Sequence, residues 1–280
     1  MCRMIAGLAV GEGLGKLAGL IRLLPRAASS DPYLAAITGG DARHCHGYGF
    51  FAALRRRGAW VLGYERFDAA DTRVGGEEAC RANLEALGVV AERLAREVEG
   101  SEAALVLFHA RRAGRREPRG SMNAHPFHEV VELPRRRLEV YVIHNGGIDK
   151  EELVEEVGVS PEYYTDTHVF TILLSRYLAM GLGVGDAVEK TRPYVKSALD
   201  LGVALIEPGK DPVLYLNGYL SERISGDRAR QAYYEPILAT SEDLVAYISS
   251  TIRDLARDNI PGLSFKRLEG LRRVTLDELQ

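Results

Sequence analysis

Apolar runs of strand length, set in pairs and interrupted by amphipathic stretches, constrain this chain more than any other feature. Residues 4–10 are uncharged and β-rich and read as a buried first strand. Residues 47–54 and 59–67 read as a hairpin around an Arg55-Arg56-Arg57-Gly58 turn. Residues 103–108 form a strand ending at His109, and residues 138–143 another ending at His144. Residues 203–206, 213–217, 233–239 and 245–249 resemble further strands. Helical spacing marks residues 14–24, closed by Pro25, and a short segment opened by Asp31-Pro32 and closed by Gly39-Gly40. It also marks residues 77–97, 149–157, 165–180 and 184–201. The rhythm is not strict βαβ. Hairpin-like pairs come first and helices separate sets of strands, which favours antiparallel or mixed sheets layered with helices over a doubly wound parallel sheet. No repeat, low-complexity tract or linker interrupts residues 1–280, which predicts one domain.

Charge and cysteine content narrow the function classes. The net charge of −3 and pI near 6.2 leave no positive excess for a generic nucleic-acid binder. No apolar run approaches the roughly 20 residues of a membrane span. The short apolar start, followed by Gly11-Glu12-Gly13, does not read as a secretory signal. Cys2, Cys45 and Cys80 are too few and too scattered for a disulfide framework or zinc ribbon, so a reducing, cytoplasmic setting is expected. Only six basic residues are Lys against 30 Arg, and Gln occurs only twice, a thermophile-like bias that a GC-rich genome also produces.

Several short segments carry chemistry. Removal of Met1 would leave Cys2 with a thiol and an α-amine on one residue, and an α-amine pKa of about 7.7–8.0 suits proton exchange with a thiol. The alternative for Cys2 is a small buried core residue. His144-Asn145-Gly146-Gly147 follows a strand, where an Asn amide and a Gly N–H can act as oxyanion donors, or where Asn-Gly simply makes a turn. Arg111, in His109-Ala110-Arg111, has the bidentate fork that grips a carboxylate. Asp166, in Thr165-Asp166-Thr167-His168, reads either as an acceptor for an ammonium group or as a helix cap. His44-Cys45-His46-Gly47-Tyr48-Gly49 precedes a strand as exposed loop or as a metal-ligating His-x-His pair. The basic loop at residues 113–120 reads as solvated surface or as a lid. Arg135-Arg136-Arg137 reads as surface or a turn.

The order of these segments resembles the class II glutamine amidotransferases, which are N-terminal-nucleophile hydrolases. The resemblance is carried by Cys2, His46-Gly47-Tyr48-Gly49, His109-Ala110-Arg111, Asn123-Ala124-His125-Pro126-Phe127, His144-Asn145-Gly146 and Thr165-Asp166-Thr167, and runs from residue 2 to about residue 170. It is nearest to the stand-alone glutaminase-type members. It implies an α+β fold, a four-layer αββα sandwich of two mainly antiparallel sheets flanked by helices, with residues from about 255 to 280 as a C-terminal extension. It also implies hydrolysis of L-glutamine to glutamate and ammonia through a Cys2 thioester, without cofactor or metal. Asn145 and Gly146 would form the oxyanion hole, Arg111 would hold the α-carboxylate and Asp166 the α-ammonium, with His109 and Gly47 beside the substrate. The ammonia would pass to a synthetase or ligase subunit, and a homo-oligomer is expected. The sequence departs from the family in Arg112-Ala113-Gly114-Arg115 after Arg111, in Tyr48, and in His168, where members commonly carry an acid. Two other classes compete: a metal-dependent hydrolase built on His44, His46, His109, His144 and Asp166, and a catalytically silent binding protein on the same fold.

Overall fold

The computed structural model describes residues 2–72, 75–114 and 117–279. The chain runs β1 (Cys2–Val10), α1 (Gly13–Ser29), α2 (Pro32–Thr38), β2 (Tyr48–Arg56), β3 (Ala59–Phe67), α3 (Gly76–Glu99) and β4 (Ala103–Arg111). It continues through β5 (Phe127–Leu133), β6 (Arg136–Ile148), α4 (Lys150–Val157), α5 (Asp166–Ala179), α6 (Val184–Thr191), β7 (Val195–Ile206) and β8 (Val213–Gly218). It closes with α7 (Arg228–Tyr233), β9 (Ile237–Ser241), β10 (Leu244–Ile248), α8 (Ser250–Asn259), β11 (Ser264–Arg267) and β12 (Gly270–Val274).

Among the described residues, these strands form a seven-stranded sheet, β11-β9-β10-β1-β4-β2-β3, and a five-stranded sheet, β12-β8-β7-β6-β5. Every strand pairing in them is antiparallel. Three apolar layers follow from the period-2 alternation of the strands. One face of β1 sends Ile5 and Ala9 into a core with Leu17, Leu20 and Leu24 of α1 and Leu94 of α3. The other face sends Met4, Ala6 and Leu8 into the space between the sheets, against Ile143 and Ala204. Val140, Val142 and Val203 pack beneath Phe170 and Leu173 of α5. The result is the expected four-layer αββα sandwich. A Cβ on Gly202 would lie 2.5 Å from the Ala6 Cβ, so the sheets approach each other closely there.

Local expectations changed where packing outweighed propensity. Pro25 does not end α1, which continues to Ser29 because Ala27 and Ala28 bury on the same face. Residues 195–201, expected as helix, are the start of β7. This strand is covered on both faces, and a doubly buried strand loses the alternation that distinguishes it from a helix. Residues 233–236 belong to the end of α7 and the turn after it, and β9 begins at Ile237. Strand β5 had no counterpart in the sequence reading. The residues from about 255 onward, expected as an extension, supply an edge strand to each sheet through β11 and β12.

Cys45 and Cys80 are joined by a disulfide, which corrects the expectation of unpaired cysteines. The bond ties the segment before β2 to the start of α3, across 35 residues of sequence. Distant spacing hid the pair, since the intervening hairpin brings the two ends together. In the chain-entropy view a loop of this length contributes about 4 kcal/mol. Reduction should therefore lower the guanidinium unfolding midpoint, and thiol labelling of unfolded protein should rise from one cysteine to three after reductant. No helix among the described residues is long and apolar enough to cross a membrane.

Candidate active site

Strand β1 starts beside the end of β4, with Cys2 opposite Arg111 in the ladder. Cys2 is buried, at 5% exposure, and its thiol opens onto a cavity of about 150 Å³. Arg111, Glu117, His125, Gly146, Asp166 and Thr167 are among the residues that line it. The Cys2 backbone nitrogen donates to Asn145 Oδ1 at 2.9 Å, and its carbonyl accepts from the Tyr233 hydroxyl at 3.0 Å. Burial pushes the Cys2 thiol up, but in the chain that still carries Met1 the positive terminus, His109 and the Arg112 backbone N–H outweigh it and lower the thiol.

Residues 144–147 are not a turn. They lie within β6, and strand alternation separates the roles of His144 and Asn145. His144 points to the helical side, with Nδ1 3.0 Å from Thr167 Oγ1 of α5. Asn145 points between the sheets toward Cys2, and its Nδ2 has no partner. Pairing with β7 shifts register between Gly146 and Ile148. A Cβ on Gly146 would sit 1.9 Å from the Ala198 carbonyl oxygen, so only glycine fits there.

The remaining expected residues divide. Arg111 is buried, and its Nη1 donates to the Pro118 carbonyl at 2.9 Å, which ties the loop after β4 over the cavity. Arg115 and Arg116 of that loop lie outside the described residues. Asp166 is the first residue of α5, while Thr165 provides the cap by accepting from the His168 N–H. Asp166 Oδ2 accepts from the Ile148 N–H at 3.2 Å, so the carboxylate is anchored to β6 as well as exposed to the cavity. His109 stacks on His125 at 3.9 Å between ring centres, and its Nε2 lies 3.2 Å from the His144 carbonyl. Burial, with His109 and Arg111 nearby, holds His125 well below its ordinary pKa, so it is neutral.

Gly47 is not on the cavity. Its positive φ of 95° and tight fit against the Phe67 carbonyl serve backbone passage, and its own carbonyl accepts from the Arg111 N–H. His44 and His46 are not among the residues that line the cavity either. His44, expected to be exposed, is buried with Nε2 2.6 Å from Asp31, and burial lowers it to about 4. His46 Nδ1 accepts from the Ala113 N–H. Among the described residues, no three His, Cys, Asp or Glu side chains converge as a metal-binding group.

Sequence reasoning missed the supports. Arg3 is fully buried, paired with Asp31 at 2.6 Å, and stacked 4.0 Å from the centre of the Tyr233 ring. Asp31 also accepts from Thr251 and caps α2. This cluster fixes the residue next to Cys2. A charged residue between two apolar strand positions, Cys2 and Met4, was its one available signal. Lys150 and Glu117, 3.3 Å apart at the cavity edge, carried none.

No family model and no curated protein sequence matches the chain. Solved structures similar to it include a glutamine phosphoribosylpyrophosphate (PRPP) amidotransferase from B. subtilis, complexed with ADP and GMP, at 12% identity and a TM-score of 0.46. That alignment covers 94% of this chain and 49% of the other. A second, described as the allosteric regulatory enzyme of purine biosynthesis, has 12% identity and a TM-score of 0.47, covering 98% of this chain and 49% of that one. The chain thus spans about half the length of each.

Proposed function

We propose that the protein is a glutamine amidotransferase of the glutaminase type that uses Cys2 as an N-terminal nucleophile after removal of Met1. The observation that carries this reading is the 2.9 Å contact from the Cys2 nitrogen to Asn145 Oδ1, made at the mouth of a cavity that Arg111 and Asp166 share. That contact gives the freed amine a fixed acceptor and leaves an Asn145 Nδ2 proton for substrate. Glutamine would enter with its α-carboxylate on Arg111 and its α-ammonium on Asp166, side chain toward Cys2.

The Cys2 thiolate attacks the side-chain amide carbon and the C=O electrons move onto oxygen. Asn145 Nδ2 and the Gly146 N–H donate to that oxyanion. The C–N bond then breaks, the protonated α-amine gives its proton to the leaving nitrogen, and ammonia departs. Water attacks the thioester, the amine takes a proton from it, and the C–S bond breaks to release glutamate. The loop held over the cavity through Arg111 and Pro118 limits water entry. An ammonia-accepting synthetase or ligase and a homo-oligomer accompany this reading, while the Cys45–Cys80 disulfide removes the ground on which a reducing, cytoplasmic setting was expected.

Glutamate release assayed on protein whose intact mass lacks Met1 tests the proposal. Retention of Met1 in protein from the native host would remove the N-terminal-nucleophile mechanism. Arg111→Ala should raise the KM for glutamine by at least about 30-fold, the equivalent of ~2 kcal/mol, because a buried charge loses its partner. Arg135→Ala, at the exposed β5–β6 turn, is the control, and equal effects of the two would take Arg111 out of the site.

A further inference from the structure

Strand β7 places Asp200 directly opposite Asn145 in the β6–β7 ladder. Opposed residues share a face of the sheet, with Cβ atoms about 4.5–5.5 Å apart. That face is the one on which Asn145 reaches Cys2. Asp200 is 0% exposed, yet neither carboxyl oxygen has a hydrogen-bond partner of normal geometry, and the same holds for Asn145 Nδ2 and the Tyr247 hydroxyl. The polar groups facing the carboxyl are the Tyr247 hydroxyl on β10, the Tyr219 backbone N–H and the Asn145 amide, with the Arg3 guanidinium acting from β1. Burial raises the Asp200 carboxyl well above the carboxylate range, so it is a neutral acid able to donate and accept. An apolar residue would fill this interlayer position without the cost of stripping water from a carboxyl. Such a costly group, next to an amide whose two ends must face different ways, points to a functional constraint.

We propose that Asp200 is a positioning residue that sets the orientation of the Asn145 amide. On this assignment the Asp200 carboxyl takes one N–H of Asn145 Nδ2. That leaves Oδ1 for the Cys2 nitrogen and the second Nδ2 proton for the oxyanion. The assignment rests on the glutaminase reading of Asn145 given above.

The test is a double-mutant cycle on the full chain, with Asp200→Leu, Asn145→Ala, the pair together, and Asp200→Asn. Asp200→Leu should lower kcat about 100-fold and leave the KM for glutamine within about three-fold, the pattern of a misplaced transition-state group. Its melting temperature should not fall, since a buried unpaired carboxyl has been removed. Asp200→Asn should restore most of the rate, and the double variant should be no slower than Asn145→Ala alone. Full kcat in Asp200→Leu, or losses that multiply in the double variant, would overturn the proposal. Asp200→Ala serves if the Leu variant does not fold. The same cycle read on iodoacetamide alkylation of Cys2 needs no turnover. Asp200→Leu and Asn145→Ala should move its pH midpoint without adding, and an unmoved midpoint in Asp200→Leu counts against Asp200. If no preparation releases glutamate, the proposed function fails while the alkylation cycle still decides the role of Asp200.

Discussion

Replacing Cys2 with Ala is expected to reduce glutamate release from glutamine to background, a loss of more than about 10⁴-fold. The size follows from removing the only atom that forms the covalent intermediate. The same thiol should reveal itself without substrate. Because its surroundings lower the thiol from its ordinary value, its alkylation by iodoacetamide should rise at a lower pH than that of an ordinary thiol and stay high where that thiol is still protonated. Cys45 and Cys80 do not confuse this measurement, since they are bonded to each other. Glutamate release that persists in Cys2→Ala and disappears on chelation would support the metal-dependent class instead. The geometry weighs against that class: His44 sits on Asp31 and His46 on the loop after β4, each with its own partner.

Asn145→Ala should lower kcat by about 10²–10³-fold while changing the KM for glutamine little. Asn145 Oδ1 holds the Cys2 nitrogen and Nδ2 is buried without a partner, so on the proposed mechanism one truncation removes both an amine acceptor and an oxyanion donor. A ground-state binding role would appear as a raised KM with kcat intact, and that outcome would remove Asn145 from the transition state. Gly146 cannot be tested as cleanly. Any side chain there collides with the Ala198 carbonyl and displaces β7, so loss of activity would report the strand rather than the N–H.

Much of this molecule was readable along the chain because its signals are local. The strand at residues 4–10, the β2–β3 hairpin and the long amphipathic α3 each declare themselves within one turn or one pleat. So does the Asp31-Pro32 start of α2, where Asp31 caps the helix and Pro32 takes the first position. The order of Cys2, Arg111, Asn145 and Asp166 pointed toward one chemistry; Cys2, Arg111 and Asp166 line one small cavity, and Asn145 reaches the Cys2 nitrogen beside it. Gly47 was misplaced because a glycine needed for backbone passage and a glycine needed for substrate approach look the same in sequence.

What only the tertiary structure decided depends on pairing across long separations. Residues 144–147 read as a loop or turn after a strand, and their ladder with β7 made them strand, which sends His144 and Asn145 to opposite faces. Residues 195–201 changed from helix to strand because burial on both faces erases periodicity. Cys45 met Cys80, and Arg3 met Asp31, through folds of chain that no spacing rule encodes. Asp200 shows the limit most plainly. In sequence it is one acid in an apolar stretch, and only the register of two strands places it opposite Asn145. The sequence by itself determined which residues are apolar, which break or cap elements, and that a cysteine stands at residue 2. Which polar groups meet was decided by strand register and by the approach of the two sheets, because those fix distances that local preference does not.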